Sequence, residues 1–222
     1  MSISGEYGRR AALQKLLFLF ATPAWAQTSR SEPIRLLALG DSLTAGYGLP
    51  RGRGFVPQLQ AALDASGRRV RVLDAGVSGD TMAGGAARLD WALADRPQAA
   101  IVALGGNDGL RGLPPARTAE ALESILSRLE ARRIPVLLAG MLAPPNLGRD
   151  YGAAFEKLYR DAVAKRPDIL FYPFFLDGIA AEPALNQPDR IHPNEAGVAE
   201  LVRRILPVTE QLLDRVPPQA AG

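Results

Sequence analysis

The chain has 222 residues, 47% of them hydrophobic and 22% charged, which sizes it for one globular domain with a real core. Its formal charge is +3, most of it from Arg9, Arg10 and Lys15 against Glu6, and beyond Ala26 the balance is 23 basic to 22 acidic residues, so no charge footprint points to nucleic acid as a partner. Cysteine is absent and histidine occurs once, at His192, which excludes disulfides, thiolate nucleophiles and zinc held by thiolates or by several imidazoles; no metal and no cofactor is expected.

The first 26 residues read as an export signal. Arg9 and Arg10 form a positive region, Leu16, Leu17, Phe18, Leu19 and Phe20 an apolar run, and Ala24-Trp25-Ala26 a small-x-small cleavage site before Gln27. The uncharged stretch 16–26 is too short to span a bilayer. The mature chain, 27–222, is then a single domain without an integral membrane span, in the periplasm or secreted.

From there strand and helix patterns alternate. Residues 34–39 form an apolar run ending at Gly40, and 55–66 carry Val56, Leu59, Ala62 and Leu63 at helical spacing before Gly67. A second strand is expected over 70–73, a second helix over 81–93 with Thr81 or Asp80 as cap, and a third strand over 99–104. An amphipathic helix follows over 117–132, a strand over 134–139, a helix over 151–165, a strand over 169–175 and a last helix over 194–213, with Pro207 as a candidate break. Five short strands alternating with helices predict an α/β fold: a three-layer α/β/α sandwich around a five-stranded parallel sheet, flavodoxin-like. In such a sheet ligands sit outside the carboxyl ends of the strands.

The unusual residues fall at those ends. Gly40-Asp41-Ser42-Leu43 follows the first strand, Gly76-Val77-Ser78-Gly79-Asp80 the second, Gly105-Gly106-Asn107-Asp108-Gly109 the third, and Asp189-Arg190-Ile191-His192-Pro193 a loop after the fifth. A serine hydroxyl is a weak nucleophile until a base takes its proton, and His192 is the one imidazole available. Asp189, three residues earlier, is placed to accept the other ring N–H and set the tautomer. Pro193 suits a helix start. Gly79 and Ser42 offer backbone N–H groups, and Asn107 a side-chain amide, to a developing oxyanion. Taken singly, each residue also has an ordinary use as a cap or turn former; the set together points to acyl transfer.

The blocks resemble those of the SGNH, or GDSL, hydrolases. The longer runs Asp41-Ser42-Leu43-Thr44-Ala45-Gly46-Tyr47, Ser78-Gly79-Asp80-Thr81 and the segment 105–112 are similar to the branch of periplasmic acyl-CoA thioesterases, lysophospholipases and arylesterases, in order over about 34–206. The resemblance implies Ser42 as nucleophile, His192 as base, Asp189 as its orienter, and Ser42, Gly79 and Asn107 as the oxyanion hole. Two positions depart from it: Arg190 stands where glycine is common, and Asp74 replaces a frequent asparagine.

Asp41 and Asp108 are expected to scaffold loops rather than react, and Arg111 is either a contact for an anionic head group or a solvated arginine. Met141, Pro144 and Phe175, in apolar loops after the fourth and fifth strands, are the expected substrate-binding residues, with core packing as the alternative for Phe174 and Phe175. The expected partner is a small-molecule or lipid acyl ester. The alternatives are a carbohydrate O-acetyl esterase, disfavoured by the apolar loop, and a non-catalytic binding protein on the same fold.

Overall fold

The computed structural model describes residues 1–2 and 32–217; the expected export signal lies almost wholly outside these residues. Five strands form one sheet in the order β2-β1-β3-β4-β5: β1 Ile34–Gly40, β2 Val70–Gly76, β3 Ala99–Ala103, β4 Val136–Ala139 and β5 Leu170–Tyr172. Every pairing is parallel, as expected for strands separated by crossover helices. All residues of β3 and β4 are buried, whereas β2 and β5 at the edges are less covered. That gradient explains why the inner strands read as continuous apolar runs.

The helices are α1 Ser42–Ala45, α2 Phe55–Ala65, α3 Met82–Ala87, α4 Leu89–Ala92, α5 Gly106–Leu110, α6 Pro115–Glu130, α7 Arg149–Ala164 and α8 Glu195–Asp214. One layer pairs α2 with α8; the other packs α3, α6 and α7 in succession. Leu122, Ile125, Leu126 and Leu129 of α6 are fully or almost fully buried, at roughly 1.5–3 kcal/mol per side chain relative to exposure.

Two local expectations are corrected. The helix expected over 81–93 is split: Thr81 caps α3, and Arg88 leaves helical geometry (φ −97°, ψ 7°) between α3 and α4. Its guanidinium turns inward to the Asp80 carboxylate at 2.6 Å and the Gly40 carbonyl at 2.8 Å, tying the helix to the end of β1. Pro207, by contrast, lies inside a continuous α8. One helical hydrogen bond is lost there, but Leu201, Val202, Ile205, Leu212 and Leu213 bury that helix's inner face and hold it together.

In this strand order the chain moves outward from β1 on one side to β2 and on the other to β3. The crevice between the carboxyl ends of β1 and β3 is therefore the topological switch point. Ser42 follows β1 and Asn107 follows β3.

Candidate active site

The turn after β1 is built by its own side chains. Asp41 caps α1 by accepting the Leu43 N–H at 3.0 Å, and Gly46 closes it in the left-handed region (φ 74°). Ser42 is the first residue of this short helix, so its N–H has no acceptor within the helix. The last residue of β2 is pressed onto α1: a Cβ on Gly76 would lie 2.4 Å from the Ala45 nitrogen, a space only glycine fits.

The histidine arrives from the opposite side of the cleft. Asn194 caps α8 by accepting the Gly197 N–H at 2.9 Å, with Pro193 just before it. Asn186, buried, bridges to Pro193 and donates to the Ile179 and Glu182 carbonyls. On this frame the Nε2 of His192 lies 2.9 Å from Ser42 Oγ, and its Nδ1 lies 2.7 Å from Asp189 Oδ2. The other Asp189 oxygen accepts the N–H groups of Ile191 and His192 at 2.9 and 3.0 Å. Partial desolvation works against the carboxylate, but the His192 N–H, its ring and the Ile191 N–H outweigh it and hold the Asp189 carboxyl at about 2. Asp189 is therefore an anion at neutral pH.

Asn107 lies in the first turn of α5, half-buried, and donates from Nδ2 to Asp41 Oδ2 at 3.3 Å. One amide hydrogen remains for a ligand. Asp41 is only 1% exposed. Burial pushes its carboxyl up to about 6, against the lowering effect of the Leu43 N–H, Asn107 and the His192 charge. Asp108 is buried as well and has the scaffolding contacts expected of it, accepting the Met82 N–H at 2.8 Å and the Thr118 hydroxyl at 2.9 Å. Gly79 sits exposed on the loop after β2 with φ 85°. It is not among the residues that line the cavity described next. Arg111 donates to its carbonyl at 2.9 Å, so that guanidinium supports the loop rather than standing free.

A cavity of about 430 Å³ opens beside Ser42, Asn107 and His192. Met141, Leu142, Ala143 and Pro144 form one wall, and Phe174, Leu176 and Ala180 another. Met141 and Pro144 therefore lie where a substrate-binding role requires. Phe175 does not: it is fully buried, edge-on to Phe55 with ring centroids 5.2 Å apart. The segment is a turn, closed by the Asp177 N–H donating to the Phe174 carbonyl at 3.0 Å, and in it Phe174 and Leu176 line the cavity while Phe175 between them enters the core.

Two residues near Ser42 and His192 were not anticipated. The Tyr47 ring lies 4.6 Å from the imidazole, tilted by 40°, and is half exposed. Its position follows from the left-handed turn at Gly46, although the sequence signal is only an aromatic next to a glycine. Gln187 links both loops, donating from Nε2 to the Tyr47 and Pro193 carbonyls at 2.7 and 3.0 Å. Nothing in a lone glutamine distinguishes this role in advance.

Comparison with known proteins agrees with this arrangement. Residues 38–199 match the GDSL-like lipase/acylhydrolase family. The chain is 40% identical to the "Esterase TesA" of Pseudomonas aeruginosa over 198 residues, covering 89% of this chain and 94% of that protein. It is 39% identical over 160 residues to the "Thioesterase 1/protease 1/lysophospholipase L1" of Escherichia coli, covering 72% of this chain and 75% of the other. Among solved structures, AlinE4, described as an SGNH-hydrolase family esterase, superposes with a TM-score of 0.69 at 45% identity, covering 83% of this chain and 99% of the other. With the switch-point cleft and its Ser-His-Asp chain, these matches place the protein: it belongs to the GDSL-like lipase/acylhydrolase family and is a GDSL-type esterase.

Proposed function

We propose that the protein hydrolyses acyl esters and thioesters through a covalent acyl-enzyme on Ser42. The observation that carries this reading is the continuous chain Ser42 Oγ, His192, Asp189, at 2.9 and 2.7 Å, opening onto an apolar cavity. As Oγ attacks the carbonyl carbon, its proton passes to His192 Nε2 and the carbonyl electron pair moves onto oxygen. Asn107, with the Ser42 and Gly79 N–H groups, forms the oxyanion hole. Collapse expels the alcohol or thiol, which takes the proton from His192. Water then repeats the sequence on the acyl-enzyme, releasing the acid and restoring Ser42.

The walls favour an acyl chain over a sugar. Leu110, Leu142 and Ile191 line the cavity and are 48%, 46% and 43% exposed, so its mouth presents apolar surface to an incoming amphiphile. Aryl esters, acyl-CoA thioesters and lysophospholipids all share the required acyl group. No helix among the described residues is long and apolar enough to cross a membrane. With the signal-like start at 1–26, export to the periplasm or medium is the accompanying proposal. It predicts a mature chain beginning near Gln27 by mass spectrometry; an intact Met1 in the soluble fraction contradicts it.

The function is tested with 4-nitrophenyl esters and matched thioesters of increasing acyl length, together with fluorophosphonate labelling. The expected result is hydrolysis by the wild type, a label on Ser42, and a folded Ser42→Ala protein with neither. Near wild-type turnover by folded Ser42→Ala overturns the proposal.

A further inference from the structure

We infer that Arg190 forms an anion subsite beside the reacting ester, selecting acyl substrates with a negative group within reach of the scissile bond. The inference rests on the proposed function and names a finer substrate class for that site.

Three observations carry it. First, Arg190 occupies a backbone conformation that disfavours it: its φ is 59°, in the left-handed region, which costs a side-chain-bearing residue free energy that glycine avoids. The resemblance noted in the sequence puts glycine at this position, and the backbone explains why. Second, the Arg190 side chain has no hydrogen bond or ion pair with any described residue, so no structural partner offsets that cost. Asp189, next in sequence, has both oxygens engaged by His192 and Ile191.

Third, Arg190 is exposed and lines the cavity. Among the lining residues it is the one permanent cation; the others are apolar or neutral apart from Asp41, which is buried beneath Asn107, and His192. Arg111 lies outside the lining and is occupied by the Gly79 carbonyl. A guanidinium binds carboxylate or phosphate oxygens through paired N–H groups, so an anion placed near the cleft has one matching donor. The anion can belong to the leaving group or to the acyl chain.

The experiment compares esters that differ only in charge. For the leaving group these are the hexanoate esters of 4-hydroxybenzoate and of neutral 4-hydroxybenzamide. For the acyl chain they are the 4-nitrophenyl monoester of glutaric acid and its ω-carboxamide. The reading is the ratio of kcat/KM, anionic to neutral, in wild type, Arg190→Gly and Arg190→Lys. Because Arg190 stands between Asp189 and His192, any disturbance of the loop lowers both esters alike and cancels in the ratio. Arg190→Gly is expected to reduce the ratio roughly fivefold to twentyfold for one pair, mainly through KM, with Arg190→Lys in between and the effect shrinking in 0.5 M salt. The affected pair tells which part of the substrate carries the anion.

A second measurement reads the subsite without turnover. Binding of 4-hexanamidobenzoate and 4-hexanamidobenzamide, the amide analogues, is measured by calorimetry on Ser42→Ala with and without Arg190→Gly. Loss of preference for the anionic analogue supports the subsite even if no ester is hydrolysed, in which case only the proposed function fails. Unchanged ratios in both substrate pairs overturn the subsite while leaving ester hydrolysis intact; where no ester is hydrolysed, an unchanged binding preference overturns it.

Discussion

Asn107 Nδ2 donates to the buried Oδ2 of Asp41 at 3.3 Å, joining the ends of two neighbouring strands across 66 residues of sequence. The same carboxylate caps the helix that starts with Ser42. One side chain therefore sets both the turn that carries Ser42 and the amide beside it.

Replacing Asp41 by Asn is expected to change the pH dependence of stability. The carboxyl is raised from an ordinary 3.8 to about 6 in the fold, so the native state binds its proton more tightly than the unfolded chain. Wild-type stability contributed by this group is present below pH 4 and is lost as pH rises through about 6. The stability of Asp41→Asn relative to wild type should therefore increase by on the order of 2–3 kcal/mol between pH 4 and 7. Urea unfolding at several pH values measures it; a pH-independent difference contradicts the assignment.

Catalysis should move the other way in Asp41→Asn. A neutral acceptor holds the Asn107 amide less firmly, so kcat is expected to fall by roughly tenfold, about the net value of one charge-assisted hydrogen bond. The acid limb of kcat/KM in wild type should carry a contribution from Asp41 near pH 6 that Asp41→Asn lacks. A limb unchanged in steepness shows that Asp41 does not act on the reaction.

Asn107→Ala should lower kcat by roughly 10²–10³ with a smaller change in KM, as expected for a donor that matters most in the transition state. In that background Asp41→Asn should have little further effect on kcat, because the new amide oxygen still accepts the Leu43 N–H and the contact it weakens is the one to Asn107. Additive losses in the double mutant place Asp41 elsewhere in the mechanism.

Phe174→Ala and Phe175→Ala should part company. Phe175 is fully buried against Phe55, and its truncation is expected to cost about 3–5 kcal/mol of stability. Phe174 lines the cavity, so Phe174→Ala should shift preference among acyl chain lengths with a smaller loss of stability. A thermal melt and an acyl-length series on each variant separate the two; equal behaviour contradicts the placement of one ring in the cavity wall and the other in the core.

Tyr47→Ala removes the ring 4.6 Å from the imidazole and is expected to lower kcat/KM by roughly 3- to 10-fold. Tyr47→Phe should retain most of the activity, since no hydrogen bond of the hydroxyl is involved. A large loss in Tyr47→Phe points instead to contact between the hydroxyl and substrate.

Much of this was legible in the chain alone. The buried strands are short apolar runs, and β1 and β3 end in clusters of glycine and polar residues. A parallel sheet brings such clusters to one edge whatever the detailed packing. His192 is the one imidazole available, so the proposed base followed from composition, and its pairing with Asp189, seen at 2.7 Å, from the reach of one turn. These inferences depend on periodicity and residue type, which are local.

What tertiary structure decided are the relationships with no local period. The expectation of a groove lined by Phe175 failed because its loop has no regular pattern, and only packing against Phe55 shows which ring faces inward. Pro207 stays helical because burial of α8 outweighs one missing hydrogen bond. Arg88 interrupts a helix to reach Asp80 and the Gly40 carbonyl, both set by distant segments. The bond between Asp41 and Asn107, and the Tyr47 ring beside His192, depend on the distance between strand ends and on turn directions. Sequence pattern determines which residues reach the cleft edge because strand direction is a local property. Which side chains touch there depends on contacts between segments far apart in the chain, and only the folded structure specifies them.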